Sequence, residues 1–399
     1  MSDSPREFSR GMIVLLAAAS ALGPVAMQIM LPAIPIVRET FEVSTGTAQL
    51  TLSLSMLSIA IATLIYGPLS DRYGRRPVML AGISITVIGS ILCMAADSIA
   101  WLIFGRIVQA AGGAVGLVLA RAIVRDTYPA DRAASVIATL VMVMVVMPML
   151  SPLVGGELMI RFDWHSIFYL VAAISLTMLF AMQRALPETL KKQTPFTGVG
   201  SMLKGFVTLL SSRIFSAYAM NVAFVSVMFF SFIAAAPEVM VSVLNRPPNE
   251  YGYYFVLIPS AFMAGNYVAR WLSTRFGVKR MITSGSWLSI TGISIALILH
   301  LSGLLHPLAL FMPIALTTFG NGISLPNAQA AAINEFPDMA GSASGLTGFL
   351  QMGFSAVAAQ LAALMFNGTV YPMLLLMLTA ATLSLVSFYI AQRHTDSSA

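Results

Sequence analysis

Twelve stretches of about 20 apolar residues follow one another along this chain, near positions 12–34, 47–69, 77–96, 100–124, 133–158, 166–185, 214–236, 252–272, 281–301, 307–331, 342–366 and 371–391. That length is what a helix needs to cross the hydrocarbon core of a bilayer. Inside such a core every backbone polar group must find its partner within the protein, which leaves only helices and closed barrels. A spanning barrel would show segments of about ten residues with alternating polarity, and this chain does not. Only 10% of its 399 residues are charged, against about 25% in soluble domains, so it cannot cover itself in water. The expected fold class is an all-α membrane protein with twelve transmembrane helices. The first run begins near Met12 and passes Ala33, too long for a signal-peptide core, and reads as a retained span.

The few charges are placed unevenly. Arg6, Arg10, Arg72, Arg75, Arg76, Arg121, Arg125, Arg132, Arg184, Lys191, Lys192, Lys204, Arg213, Arg270, Arg275, Lys279, Arg280 and Arg393 fall on the side of the N-terminus. Only Arg38, Arg161 and Arg246 fall opposite, and Arg106 lies within a span. Basic residues collect in cytoplasmic loops, so both termini are expected in the cytoplasm. The net charge of +6 follows from that bias and does not predict nucleic acid as a partner. The loop holding Glu335 and Asp338 lacks a basic residue and is the one exception. Cys93 is the only cysteine, so neither an internal disulfide nor a thiolate metal site is expected.

The longest connection runs from 186 to 212 and contains LPETLKKQTP. It reads as a cytoplasmic linker between an N-terminal six-helix bundle, 1–185, and a C-terminal one, 213–399. A short repeat agrees: LSDRYGRR at 69–76 returns loosely as LSTRFGVKR at 272–280, each after the second span of its half. Two halves of like orientation predict a site near the midplane where they meet.

GPLSDRYGRRP at 67–77 resembles the signature loop between spans 2 and 3 of the major facilitator superfamily. RIVQAAGGAVG at 106–116, with Arg106, Gln109 and Gly112, is similar to a span 4 motif of the twelve-span drug:proton antiporter branch. VVMPMLSPLVGG at 145–156 is similar to its span 5 antiporter motif, with Pro148, Pro152, Gly155 and Gly156. DWHSIFYL and LPETL follow in the usual order, and MLPAIP and RAIVRD resemble the Bcr/CflA subgroup, which includes chloramphenicol and florfenicol exporters. The resemblance implies two pseudo-symmetric bundles and efflux by alternating access. It also implies a cytoplasmic latch made of Gly67, Asp71, Arg72, Gly74, Arg75, Arg76 and Asp126, with Arg75 pairing with Asp126.

The residues themselves qualify this. Gly74 gives the tight turn a conformation other residues avoid, and Pro77 suits the first turn of a helix. The arginines of the loop read equally as a topology anchor, but Asp71 adds nothing to positive-inside bias; it is placed to face the positive end of a helix in the other half. A charge within a span marks a functional site by default; the alternative for Arg106 is snorkelling to the interface. Arg106 stands roughly 9 Å in from the outer edge, and Gln28 roughly 24 Å up from the cytoplasm, at about the same level, so the two are expected to meet in a cavity. The Bcr/CflA pattern commonly has Asp where this chain has Gln28, and glutamine carries no proton. The coupled proton is then assigned to Glu157, whose alternative is an idle place at a wet helix end; Glu238 and Asp71 follow. Protonation of Glu157 would compete with its attraction to Arg106. Asn221 and Asn266 are candidate cavity residues from the second half.

His165, His300, His306 and His394 show no metal-ligand spacing, and no phosphate-binding loop, catalytic triad or carboxylate pair appears. The reading is a bacterial inner-membrane, multi-pass, monomeric exporter, not an enzyme. It needs no cofactor beyond the proton as coupling ion, and its partners are the bilayer and a small apolar, neutral or weakly anionic substrate such as a phenicol or bicyclomycin-like antibiotic. The alternatives are an exporter of an endogenous metabolite on the same fold and a transport-dead membrane sensor.

Overall fold

A computed structural model describes residues 8–190 and 199–398; Arg6, Lys191 and Lys192 of the topology argument lie outside them. The helices are α1 (Arg10–Gln28), α2 (Ile34–Thr40), α3 (Thr45–Tyr73), α4 (Arg75–Met94), α5 (Ile99–Thr127), α6 (Ala130–Arg161), α7 (His165–Ala185), α8 (Val199–Ser211), α9 (Arg213–Glu238), α10 (Glu250–Phe255), α11 (Leu257–Phe276), α12 (Val278–Leu301), α13 (Pro307–Asn334), α14 (Ala340–Leu364) and α15 (Tyr371–Ser398). Among the described residues, eleven helices are long and apolar enough to cross a membrane. The remaining expected span, 252–272, is helical too, as α10 and α11. Asn266, Arg270, Ser273, Thr274 and Arg275 on α11 make it more polar than the rest.

Two compact units emerge: Met1–Val43 with Leu50–Phe196, and Ser44–Gln49 with Thr197–Ala399. The expected boundaries shift accordingly. The 186–212 connection is not all linker, because α8 occupies its second half and packs Phe206 and Leu209 on the core of the second unit. The start of α3 groups with the second unit rather than the first.

Within the first unit α4 packs on α5 and α7, and α1 packs on α5 and α6. Within the second, α12 packs on α13 and α15, and α9 packs on α13 and α14. The pairings correspond one for one, so the loose sequence repeat is a repeat of topology. Close approach rests on small residues, as in membrane bundles generally. A Cβ on Gly112 would strike the backbone at Thr86, and Gly285 and Gly320 face each other's carbonyls. Each unit has its own apolar core, one around Ile29, Met30, Leu102, Trp164 and Phe168, the other around Phe215, Ala219, Ile282, Ala332 and Phe388.

Span 1 is divided. Helix α1 ends at Gln28, a short 3-10 turn covers Leu31–Ala33, and α2 resumes at Ile34. Pro32 and Pro35 explain the break, since neither has an N–H to continue the ladder.

Candidate functional site

The interior of the first unit holds Arg106. Helix α5 starts at a proper cap, Ser98 Oγ accepting from Trp101 N (3.4 Å), and carries Arg106 two turns in. The side chain is only 2% exposed. Its Nη1 donates to the carbonyl of Ala26 (2.8 Å) and to Gln109 Oε1 (2.5 Å). The guanidinium lies 6.0 Å from the centroid of Phe168. Gln109 Nε2 in turn donates to Ser90 Oγ (2.8 Å), which donates to Thr86 O (2.8 Å). Arg106 is therefore an interior residue and does not snorkel.

The break in span 1 explains how a cation survives there. Ala26 is in the last turn of α1, where carbonyls lack intrahelical donors and the helix dipole is negative. Such an end stabilises a cation by about 0.3–1 kcal/mol at a surface and up to about 2 in partly buried geometry. Gly155 of α6 closes on the same break: a Cβ there would run into the carbonyl of Ile29. Pro148, Pro152 and Gly156 are buried on that helix, and Ser151 Oγ donates to Pro148 O (2.8 Å). The span 4 and span 5 motifs thus converge on one point, the interruption of span 1.

Gln28 is buried two residues beyond Ala26, so the two side chains share a level. They do not bond: Arg106 takes the backbone carbonyl instead. Among the described residues, Gln28 Oε1 and Arg106 Nε are buried with no hydrogen-bond partner. No carboxylate pairs with Arg106 among them.

Glu157 is not part of this group. Its carboxylate, 32% exposed, pairs with Arg161 one turn along the same helix (3.4 Å), while Arg106's bonds go to α1 and α5. Among the described residues, no contact joins Glu157 to Arg106. Asn221 also departs from expectation. It is fully buried, and its Nδ2 donates to Ser384 O (2.7 Å) and Oγ (2.9 Å), joining α9 to α15, while its Oδ1 has no hydrogen-bond partner among the described residues. Asn266 donates to Phe262 O within its own helix (3.0 Å) and, with Arg270, Ser273 and Asn327, lines a cavity of about 200 Å³ in the second unit. Glu238 of α9 is only 3% exposed and accepts from Ser242 Oγ (2.5 Å), just where a short π-helix, Val239–Val243, follows.

The corner between α3 and α4 collects the charged loop. Gly74 has φ +101° and ψ 153°, a region open essentially to glycine alone. Arg75 is 9% exposed. Its Nε donates to Asp126 Oδ2 (2.8 Å), and its Nη1 meets Asp71 Oδ1 (2.5 Å) and Ser70 Oγ (2.6 Å). Asp71 thus pairs within its own unit. Arg76 Nη2 donates to Gln183 O (2.8 Å) at the end of α7, and Arg72 lies over the Tyr73 ring (5.1 Å). Gly67 has nothing within 4 Å of where a Cβ would stand, so packing does not explain it.

Sequence reasoning placed Glu188 in the LPETL segment but gave it no role; it sits beside this corner. Its Oε1 accepts from the backbone N–H of Arg75, Thr189 and Leu190 (2.9 Å each) and its Oε2 from that of Arg76 (3.2 Å). Burial acts to raise its carboxyl, but the N–H donors of Leu190, Arg75, Arg76 and Thr189 prevail and hold it below the ordinary value. A signal was available. Helix α4 opens on a glycine without a capping side chain and bears two arginines in its first turn, the wrong sign for its dipole.

Comparison with known proteins places the chain among transporters of the same fold. The sequence model of the family described as Major Facilitator Superfamily matches residues 16–360. The chain is 26% identical over 386 residues to a bicyclomycin resistance protein homolog of Haemophilus influenzae, covering 94% of this chain and 95% of that one. It is 30% identical over 365 residues to multidrug resistance protein D of Escherichia coli, covering 90% of each. The fold is similar to the crystal structure of a bacterial homologue of the human lysosomal transporter Spinster, with a TM-score of 0.76 at 14% identity over 98% of both chains.

Proposed function

We propose a function from one premise: the chain belongs to the Major Facilitator Superfamily and is a multi-pass membrane transporter. Its task in this reading is efflux of small apolar compounds, neutral or weakly anionic, by alternating access in a bacterial inner membrane, with both termini cytoplasmic. Relatives named for bicyclomycin and multidrug resistance favour antibiotics as cargo, phenicols and bicyclomycin-like drugs first. The observation that carries the charge preference is Arg106. It is buried, it bonds only to neutral acceptors, and its Nε and the neighbouring Gln28 Oε1 hold no partner among the described residues. A cationic drug would meet a like charge there, while a carbonyl, nitro group or carboxylate would meet a donor.

The inward proton gradient drives the cycle in this reading, and Glu157 carries the proton. It lies on α6, one residue after Gly156 of the antiporter motif, where loss of the Arg161 pair accompanies protonation. Glu238 is the second acid, favoured by its burial. The Arg75–Asp71–Asp126 cluster serves as the cytoplasmic latch of the cycle. The test is counterflow of labelled chloramphenicol in liposomes, with and without a pH gradient. The gradient is expected to raise accumulation about tenfold, the change that one pH unit supplies per proton. Glu157→Gln should keep counterflow and lose the gradient effect; a Glu157→Gln protein that still responds to the gradient, with Glu238→Gln unresponsive, moves the proton to α9. Absence of drug counterflow in the wild type, with release of an endogenous metabolite, would replace the drug reading by metabolite export.

A further inference from the structure

Helix α4 has an unusual beginning. Its first N–H groups are orphan donors, as at any helix start, and Gly74 at the cap position has no side chain to accept from them. The acceptor comes from 112 and 113 positions away: Glu188 takes the N–H of both Arg75 and Arg76. The space for it exists because Gly74 lacks a Cβ; Glu188 Oε2 occupies the direction a Cβ would take. The same carboxylate folds its own chain back, accepting from Thr189 and Leu190. Leu186, two residues earlier, is buried at 2% exposure and holds the base of this segment. The start of the connection that follows α7 is thereby pinned to the α3–α4 corner.

The residue that gains most is Arg75. Glu188 fixes its backbone N–H, and its side chain then reaches Asp126, Asp71 and Ser70. The preceding Gly74 is the freest residue type in backbone terms, so the direction of the Arg75 side chain needs an outside restraint. We propose that Glu188 is the positioning residue of Arg75: by capping α4 it presets the Arg75–Asp71–Asp126 cluster and ties the linker to it. The consequence for transport rests on the efflux reading above; the capping does not.

Full-length protein in liposomes provides the test. Glu188→Ala should lower the maximal rate of drug counterflow by about tenfold, inside the loss of up to about 100-fold that misplacing an acting group can cause, with the apparent KM for chloramphenicol unchanged. Glu188→Gln, which keeps the shape and one acceptor, should fall between, and serves also if the alanine variant fails to fold. Amide hydrogen exchange should show loss of protection at both Arg75 and Arg76 in Glu188→Ala, and a smaller loss in Glu188→Gln, which keeps one acceptor. In an Asp126→Asn background Glu188→Ala should add less than about twofold, because residues acting through one contact are not additive. Unchanged protection at Arg75 and Arg76 overturns the proposal, as does a Glu188→Ala effect that multiplies in full with Asp126→Asn. Should the wild type move no drug, the efflux reading falls, and the exchange measurement, which needs no substrate, still decides whether Glu188 holds Arg75.

Discussion

The two copies of the loop repeat make a natural experiment. LSDRYGRR turns from α3 into α4 at Gly74, and LSTRFGVKR turns from α11 into α12 at Gly277. Both glycines have positive φ, +101° and +81°, with ψ near 155°. Both corners stack an arginine over the aromatic residue beside it, Arg72 on Tyr73 (5.1 Å) and Arg275 on Phe276 (5.5 Å). There the likeness ends. Asp71 becomes Thr274 and Arg75 becomes Val278. Glu188 fills the space behind Gly74, whereas nothing stands within 4 Å of a Cβ on Gly277. The turn is therefore a demand of the fold, met twice, and the Arg75–Asp71–Asp126 cluster is built on residues that the second corner replaces with Thr274 and Val278. Topology anchoring explains the arginines in both copies; it does not explain a cluster confined to one.

The largest expected effect separates the two corners by function. Arg75→Ala leaves Asp71 and Asp126 without the cation that their carboxylates share. Counterflow should fall about tenfold, within the loss of up to about 100-fold that misplacing an acting group can cause, while Val278→Ala should stay within about twofold of wild type. Initial rates normalised to reconstituted protein read both. Equal losses at the two positions would erase the distinction drawn here.

Next in size is a contrast in stability. Alanine at either glycine must enter a backbone region that costs a non-glycine residue about 1–3 kcal/mol. At Gly74 the new methyl also meets Glu188 Oε2 and displaces the cap; at Gly277 it meets open space. Gly74→Ala should lower the unfolding midpoint in detergent by several degrees more than Gly277→Ala. A larger loss at Gly277 would mean that the Glu188 cap on α4 contributes nothing to stability.

Much of this molecule was legible in its sequence, for a physical reason. In a bilayer the backbone has almost no choice, so apolar run length alone announces the helices. Even 252–272, more polar than the rest, keeps enough apolar residues over about 20 positions to read as a span. Arg106 was legible as an interior residue because a charge in a span is so seldom idle. Its acceptor was not: Ala26 is 80 positions away, and its carbonyl is available because it lies in the last turn of α1, which ends at Gln28. The pair of Asn221 with Ser384 spans 163 positions and left no trace in composition or spacing. Glu157 is a different case. Arg161 stands four residues on, an ordinary helical ion pair, and weighing that spacing would have turned the acid away from Arg106 at once.

The smallest expected effect concerns acid. Glu188 is held below the ordinary carboxyl value of 4.5, because folding supplies donors to its ionised form that the unfolded chain lacks. A depressed folded value gives stability that is fully present above 4.5 and is lost as pH falls through the folded value. Glutamine at 188 does not titrate, so the difference in unfolding midpoint between wild type and Glu188→Gln isolates this group. That difference should be flat from pH 7 to pH 5.5, an interval about one unit clear of the ordinary value, and should shrink below 4.5. Exchange protection at Arg75–Arg76, corrected for intrinsic rate, should weaken over the same acidic interval in the wild type. Protection at Val278–Lys279 should not follow, since α12 opens without a capping side chain. A midpoint difference that stays constant through the acid range would mean that the charge on Glu188 is immaterial, and would leave the two corners distinguished by Asp71, Arg75 and Asp126 alone.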